Sequence, residues 1–203
     1  MDANPAGTAA TWLWQAGADI PKIVEFVAAP RLREVYVAVP LSGVDDNVAA
    51  LTTALRANGI AVSCLGGDPT WTVQHDTASN WAFRATTDAV FDSVHLDVEP
   101  WALLTRIVHQ CDSITVLAYR DRASTIVAEA EPMLRLCETA GTGYRIGVET
   151  QPPSSSVPTN TTFADDGEAV MRRELTAVAA RLQQPLFDGF AVHHLRAWQT
   201  MPP

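Results

Sequence analysis

The chain has 203 residues, of which almost half are apolar, so it can bury one substantial core and we expect a single domain over residues 1–203. Its formal net charge of −9 and scattered arginines argue against nucleic acid or an anionic membrane as a partner, and no apolar run reaches membrane-spanning length. The cysteines Cys64, Cys111 and Cys137 lack metal-ligand spacing, and the N-terminus lacks the features of a secretory signal. We therefore expect reduced thiols in a cytoplasmic protein.

Strands and helices alternate along the first half of the chain. Period-2 apolar patterns predict strands over residues 11–16, 35–40 and 60–65. A helix is predicted to begin at Asp19 and Pro21, and a second behind a capping box formed by Ser42 and Asp45. A third helix is predicted over residues 77–90.

The second half repeats the alternation. We predict a short helix within residues 101–111 and strands over 114–119, 144–150 and 187–193. A helix from about Ser124 is expected to be kinked or divided by Pro132 and to end at Gly141. Residues 151–162, rich in Pro, Ser and Thr, form a long loop and a lid candidate. A capping box of Asp165 and Glu168 is expected to begin the next helix.

The strand predicted within residues 91–101 differs from an ordinary buried strand, because one of its faces is polar. Its apolar face holds Val94, Leu96 and Val98, and its polar face holds Ser93, His95, Asp97 and Glu99. Strands buried on both sides normally present continuous apolar runs. Ionisable groups at the C-terminal end of a barrel strand usually face a substrate.

Repeated βα units with polar residues at the strand ends predict a TIM-like (β/α) barrel rather than an open doubly wound sheet. Neither a dinucleotide fingerprint nor a phosphate loop is present, so we expect no cofactor. We count seven strands, whereas a complete barrel of this class has eight. The deficit follows Glu99, where about a dozen residues lead to Ser113.

We therefore predict an incomplete barrel in which the strand holding Glu99 pairs directly with the strand holding Tyr119. That arrangement would leave sheet edge and apolar surface to cover. A second copy of the chain is the simplest cover. We thus expect a homodimer packed near residues 101–112.

The strand from Phe91 to Glu99 resembles the fourth-strand signature of family 18 glycoside hydrolases, the chitinase-like barrels. Asp92, Asp97 and Glu99 match that signature, while Ser93 replaces its glycine and His95 replaces an acidic residue. The segment Leu117-Ala118-Tyr119 resembles the Met-x-Tyr-Asp strand of the family, with Arg120 in place of the aspartate.

The resemblance implies roles for three of these residues. Glu99 would protonate the glycosidic oxygen, Asp97 would orient the acetamide of the substrate as nucleophile, and Tyr119 would support it. A second resemblance, to retaining glycosidases, would pair Glu99 with Glu149, but Val98 stands where that group has Asn. We expect the retaining pair to fail, and the separation of the two carboxyl groups to decide the matter.

Further polar and aromatic residues are candidates for substrate binding. The set comprises Trp14, Trp71, His95, Trp101, Arg120 and His193. His95, Asp97 and Glu99 can instead form a structural hydrogen-bond network. With His193 they could converge on a metal ion, but no metal-binding motif supports this, and we predict no metal.

Three functions follow as alternatives. The first is a glycoside-hydrolase-like enzyme acting on a small glycoside or amino sugar with Glu99 as general acid. The second is a non-hydrolytic acid/base enzyme of small-molecule metabolism, a cyclase or an isomerase. The third is a non-catalytic barrel that binds a sugar or another small ligand. Fold alone does not distinguish them.

Overall fold

The computed structural model describes residues 7–17, 19–29, 32–88, 91–97, 107–182 and 185–203. Within them the chain is α/β, and the seven strands belong to one sheet. The predicted number of strands is therefore confirmed. Glu99 and Trp101, two of the predicted site residues, lie outside the described residues.

The strands and helices alternate as the sequence predicts, with boundaries that differ by a few residues. The strands are β1 Thr8–Leu13, β2 Glu34–Ala38, β3 Ala61–Gly66, β4 Ser93–Leu96, β5 Ser113–Leu117, β6 Gly143–Glu149 and β7 Phe187–His193. The helices are α1 Ile20–Ala28, α2 Asp46–Ala57, α3 His75–Asp88, α4 Ala123–Ala140, α5 Glu168–Arg181 and α6 Leu195–Trp198. None of the helices in the described ranges is long and apolar enough to cross a membrane.

The strand order in the sheet is β4-β3-β2-β1-β7-β6-β5. The pairs β1–β2, β2–β3, β3–β4, β5–β6 and β6–β7 are parallel. The order ends at β4 and at β5, so the expected direct pairing of these two strands was wrong for the described residues. In the described residues, β4 pairs with β3 and β5 pairs with β6.

The chain divides into two compact units. The N-terminal unit comprises Ala10–Ala102, and the C-terminal unit comprises Leu103–Pro203 together with Met1–Ala9. Strand β1 contributes to both, because Thr8 and Ala9 fall in one unit and the rest of the strand in the other.

In the N-terminal unit, the strand register separates a helix-covered face from an opposite face. Tyr36 of β2 pairs with Trp12 of β1 and with Ser63 of β3, which places all three on one face. Gly66 lies on the other face, where a Cβ atom would overlap the buried ring of Trp81 from α3. The face that carries Trp12 and Tyr36 is therefore the face opposite the helices.

In the C-terminal unit, β6 and β7 are paired with one irregularity that sets the position of the site. Tyr144 pairs with Phe187, but Ile146 pairs with Phe190, so β7 holds one additional residue between the two pairs. Gly189 adopts a φ of 97° within this bulge, a conformation that favours glycine. From Ile146 onwards the shifted register continues to the strand ends, where Glu149 pairs with His193.

Three local predictions need correction. Asp45 caps α2 by accepting a hydrogen bond from the backbone N–H of Val48 at 2.9 Å, so a cap at Ser42 was wrong. Helix α5 has Gly167 at its N-cap without a side-chain cap, so the cap at Asp165 was also wrong. Helix α4 runs through Pro132 without division. Its buried stripe extends on both sides of the proline and holds the two halves against the core: Ile126, Ala130, Leu134 and Cys137.

Candidate acid–base site

The C-terminal ends of β6 and β7 bring two of the predicted site residues together. Glu149 and His193 are the last residues of their strands and are register partners. They share a face with Gly147 and Ala191 because side chains two residues apart on a strand point the same way. Tyr144 lies on the other face, near Cys137 and Glu138 of α4. Burial raises the pKa of Tyr144, and the charges of Glu138 and Cys137 raise it further. The dyad therefore occupies the face opposite the helices of its unit.

The carboxylate of Glu149 and the imidazole of His193 form a close, buried pair. Nδ1 of His193 lies 2.9 Å from Oε2 and 3.1 Å from Oε1 of Glu149. The side chain of Glu149 is only 5% exposed and that of His193 only 14%. Little water reaches the pair, so its electrostatic interaction is screened less than that of a surface pair.

Two backbone groups also bind the carboxylate. The N–H groups of Thr150 and Gln151 each donate to Oε1 of Glu149 at 2.8 Å. Together with His193 they give the carboxylate three donors, which is typical of an ionised acid held in one orientation. The chain just beyond β6 thus holds Glu149 in the rotamer that faces His193.

This arrangement assigns distinct roles to the two ring nitrogens of His193. A neutral imidazole that donates through Nδ1 carries its proton there, so its basic nitrogen is Nε2. A carboxylate in this position orients the ring and stabilises its protonated form. The pair can therefore transfer a proton through Nε2 of His193, with Glu149 acting through the ring.

The same contacts bear on the retaining-glycosidase interpretation. A nucleophilic carboxylate must present an oxygen to the sugar, whereas Oε1 of Glu149 has three donors and Oε2 faces His193. Arg145 lies on the same face of β6 as Glu149, four residues earlier. It binds Asp188 in the β7 bulge, with Nε and Nη2 at 2.9 and 2.7 Å from Oδ2.

Tyr119 lies beside the pair, and Arg120 is directed elsewhere. The rings of Tyr119 and His193 are 6.0 Å apart between centroids and inclined by 29°. Leu117, the last residue of β5, pairs with Gly147 of β6. Tyr119 and Glu149 each lie two residues further along, so the two residues are at the same level of the sheet. Arg120 forms an ion pair with Glu129 of α4 at 3.0 Å.

His194 follows the pair directly and contacts both the ring of His193 and helix α6. The peptide between the two histidines is cis, and the ring centroids are 5.2 Å apart at 88°. Nδ1 of His194 accepts from the N–H of Ala197 at 3.5 Å. Burial lowers the pKa of His194, and the charges of His193 and Arg196 lower it further, against the opposite effect of Glu149.

In the N-terminal unit, His95 and Asp97 of the strand that resembles the chitinase-like signature lie within the described residues. His95 lies on the face opposite the helices, where its ring stacks on Tyr36 with centroids 3.9 Å apart and planes inclined by 11°. Trp12 meets the same histidine ring edge-on at 5.8 Å. Asp97 follows β4 directly, and its N–H donates to the carbonyl of Gly66 at 2.9 Å.

Asp92 has a structural role at the other end of β4. It accepts a hydrogen bond from the N–H of Val62 at 2.8 Å and pairs with Arg56 of α2. Burial acts to raise its pKa, but these contacts outweigh burial and leave the pKa lowered. The residue matches the family signature and ties β4 to β3 and α2.

Two of the tryptophans predicted to bind substrate, Trp14 and Trp71, lie in the described residues and differ in their surroundings. Trp71 is 4% exposed and packs against Trp81 with ring centroids 5.2 Å apart. It therefore offers little surface to a ligand. Trp14, just after β1, is 39% exposed.

Sequence reasoning missed the residues that hold the pair in place. Thr150, Gln151 and Thr162 belong to the loop over residues 151–162 or adjoin it, and none stands in a recognisable motif. Only their position next to Glu149 gives a hint. In the described part of the chain, no group of three His, Cys, Asp or Glu side chains is arranged to hold a metal ion.

A scan of protein-family models finds none that matches this chain, and a search of curated proteins finds no matching relative.

Proposed function

We propose that the protein is an acid/base enzyme acting on a small molecule, with His193 as the proton-transferring residue and Glu149 as its positioning partner. The observation that carries the proposal is the two-point contact of Nδ1 of His193 with a carboxylate that is itself held by two backbone N–H groups. Such an arrangement fixes both the tautomer and the orientation of a catalytic imidazole. The barrel that we propose around it is TIM-like and incomplete.

The chemistry supported best is proton transfer without a covalent enzyme intermediate, as in an isomerase or a cyclase. In this scheme Nε2 of His193 removes a proton from the substrate or delivers one, while Glu149 stabilises the imidazolium that forms. Tyr119 lies at the side of the ring and would contact the substrate near the reacting atom. A positioned general acid or base contributes ~10²–10⁴-fold to a rate.

A glycoside-hydrolase-like activity on a small glycoside or amino sugar is the second candidate. It is favoured by Asp97, which follows β4 directly on the face of His95, as the resemblance to chitinase-like barrels requires. Its general acid would be Glu99. The third alternative, a non-catalytic ligand-binding protein, applies if neither His193 nor Glu99 affects any reaction.

Purified protein incubated with a whole-cell metabolite extract in D₂O tests the first proposal. Mass spectrometry would detect substrates that disappear or acquire deuterium. We expect His193→Gln and Glu149→Gln to lower the rate ~100-fold or more, while His109→Gln, a matched change at an exposed residue of the same unit, leaves it unchanged. Turnover retained by His193→Gln would refute the assignment.

The second candidate is tested on chitooligosaccharides with wild type and Glu99→Gln. Cleavage that is lost only in Glu99→Gln, with His193→Gln still active, would favour the hydrolase. If neither wild type nor the variant cleaves these substrates, the hydrolase candidate is excluded. If no arm of either screen shows turnover, the ligand-binding alternative stands.

We also propose that the protein works in the cytoplasm as a homodimer packed near residues 101–112. Val94 and Leu96 of β4 support a covered surface close to that segment in sequence, because they are 41% and 44% exposed. Light scattering at micromolar concentration tests it. A monomer mass would contradict the dimer.

A further inference from the structure

The loop over residues 151–162, here called the closing loop, begins and ends on Glu149. At its beginning, the N–H of Gln151 donates to Oε1 of the glutamate side chain. Beyond its end, the N–H of Phe163 donates to the main-chain carbonyl of Glu149 at 3.0 Å, and Thr162 forms a parallel bridge with the same residue. The loop therefore returns to the residue from which it departs.

One buried hydroxyl joins the two ends of the closing loop. Oγ1 of Thr162 donates to the carbonyl of Gln151 at 2.7 Å and accepts from the N–H of Ala164 at 3.1 Å. Thr162 is fully buried, so both bonds are shielded from water. Between the ends, residues 152–156 and 158–160 are exposed.

Gln151 connects this hydroxyl to the proton-transfer pair. Its carbonyl accepts a hydrogen bond from Thr162, and its backbone N–H donates to Glu149. A continuous series of hydrogen bonds thus runs from Thr162 through Gln151 and Glu149 to the imidazole. Thr150 also holds the backbone of the histidine, because its Oγ1 and its N–H donate to the carbonyl of His193 at 2.8 and 2.6 Å.

We infer that Thr162 is a positioning residue for His193, acting through Gln151 and Glu149. Loss of its hydroxyl releases the carbonyl of Gln151, and with it the N–H that orients the carboxylate. The ring of His193 then loses its fixed tautomer. The catalytic consequence rests on the proposed function, but the effect on the ring does not.

The test uses protein labelled with ¹⁵N in its histidine rings. In wild type we expect a single Nδ1–H tautomer of neutral His193 and a slowly exchanging Nδ1 proton. Thr162→Val keeps the shape of the side chain and removes the hydroxyl. It should give a mixture of tautomers and speed the exchange of that proton about tenfold, the fold-change expected from losing one hydrogen bond.

Two further variants separate positioning from general damage to the loop. Thr162→Ser restores a hydroxyl and should restore the wild-type signals. Thr161→Val removes the neighbouring hydroxyl, which donates to the carbonyl of Pro158 inside the loop, and should leave them unchanged. Wild-type ring signals in Thr162→Val, or the same loss in Thr161→Val, would overturn the inference.

Wild-type protein provides a measurement that does not depend on folding of the variants. If the hydroxyl of Thr162 couples the loop to the pair, the amide protons of Gln151 and Phe163 and the Nδ1 proton of His193 exchange through one opening event. Their protection should then decline together with increasing urea. Separate declines would overturn the inference.

Activity then distinguishes this inference from the proposed function. Where a substrate has been found, Thr162→Val should lower kcat about tenfold with little change in KM, because the residue acts on the ring of His193 through Gln151 and Glu149 rather than by binding the substrate. If ring signals respond to Thr162 but no variant of His193 affects turnover, the positioning role stands and the proposed function fails.

Discussion

The pairing of Glu149 with His193 can be measured as a free energy by a double-mutant cycle. The cycle comprises wild type, Glu149→Gln, His193→Gln and the double variant. A hydrogen bond to a charged group contributes ~1.5–3 kcal/mol. The carboxylate is only 5% exposed, so solvent screening removes little of this and we expect a coupling of ~1.5–3 kcal/mol.

The assay is urea unfolding at pH 8, followed by circular dichroism and extrapolated linearly to water. The exposed pair Arg135–Glu131 of α4, with side chains 72% and 57% exposed, is a control in the same unit and should couple by only ~0.3–0.5 kcal/mol. Equal m-values among the four proteins would show that the unfolded states are comparable. A coupling for Glu149 and His193 no larger than that of the surface pair would refute the orienting role of the carboxylate.

Three other perturbations follow from the structure. Gly189→Ala should destabilise the protein by ~1–3 kcal/mol in the same urea assay, because a Cβ atom there would overlap the carbonyl oxygen of Gly7; an unchanged midpoint would contradict the bulge geometry. The pKa of His194 is lowered in the folded protein, so just below pH ~6.5, the ordinary histidine pKa, the unfolded chain binds more protons than the folded one. The free energy of unfolding should therefore fall as the pH drops below ~6.5. His194→Gln should flatten that dependence in melting curves from pH 8 to 5, and an equally steep curve would argue against it. Native protein should react through one thiol with a thiol reagent at pH 8, because Cys111 is exposed whereas burial raises the pKa of Cys64 to about 11; rapid modification of Cys64 would contradict its burial.

Apolar periodicity in the sequence marks the buried faces of α5 and β5. Met171, Leu175 and Val178 recur at helical spacing and are all buried in α5. The alternation through β5 likewise separates Val116 and Ala118, which are buried, from Tyr119 beside His193. These predictions succeed because one-sided burial imposes the period of the element on the choice of residues.

Helix ends were predicted less well because several residues nearby can serve as a cap. Ser42 and Asp45 both have side chains that accept hydrogen bonds from backbone N–H groups. Only the position of the first helical turn shows that Asp45 meets the N–H of Val48. At α5, Asp165 was predicted as the cap, but the N-cap residue is Gly167, which has no side chain to accept a hydrogen bond.

The sequence alone determined that Glu149 and His193 end parallel strands with their side chains on the face opposite the helices. It did not determine that they meet. Had β7 continued in the register of Tyr144 and Phe187, Glu149 would lie opposite Val192; the extra residue at Asp188–Gly189 moves His193 into that place. The same bulge positions Asp188 to bind Arg145, while the carboxylate of Glu149 binds His193. Residues 44 positions apart acquire their relation from strand register, and register depends on hydrogen bonds between strands that no local pattern encodes.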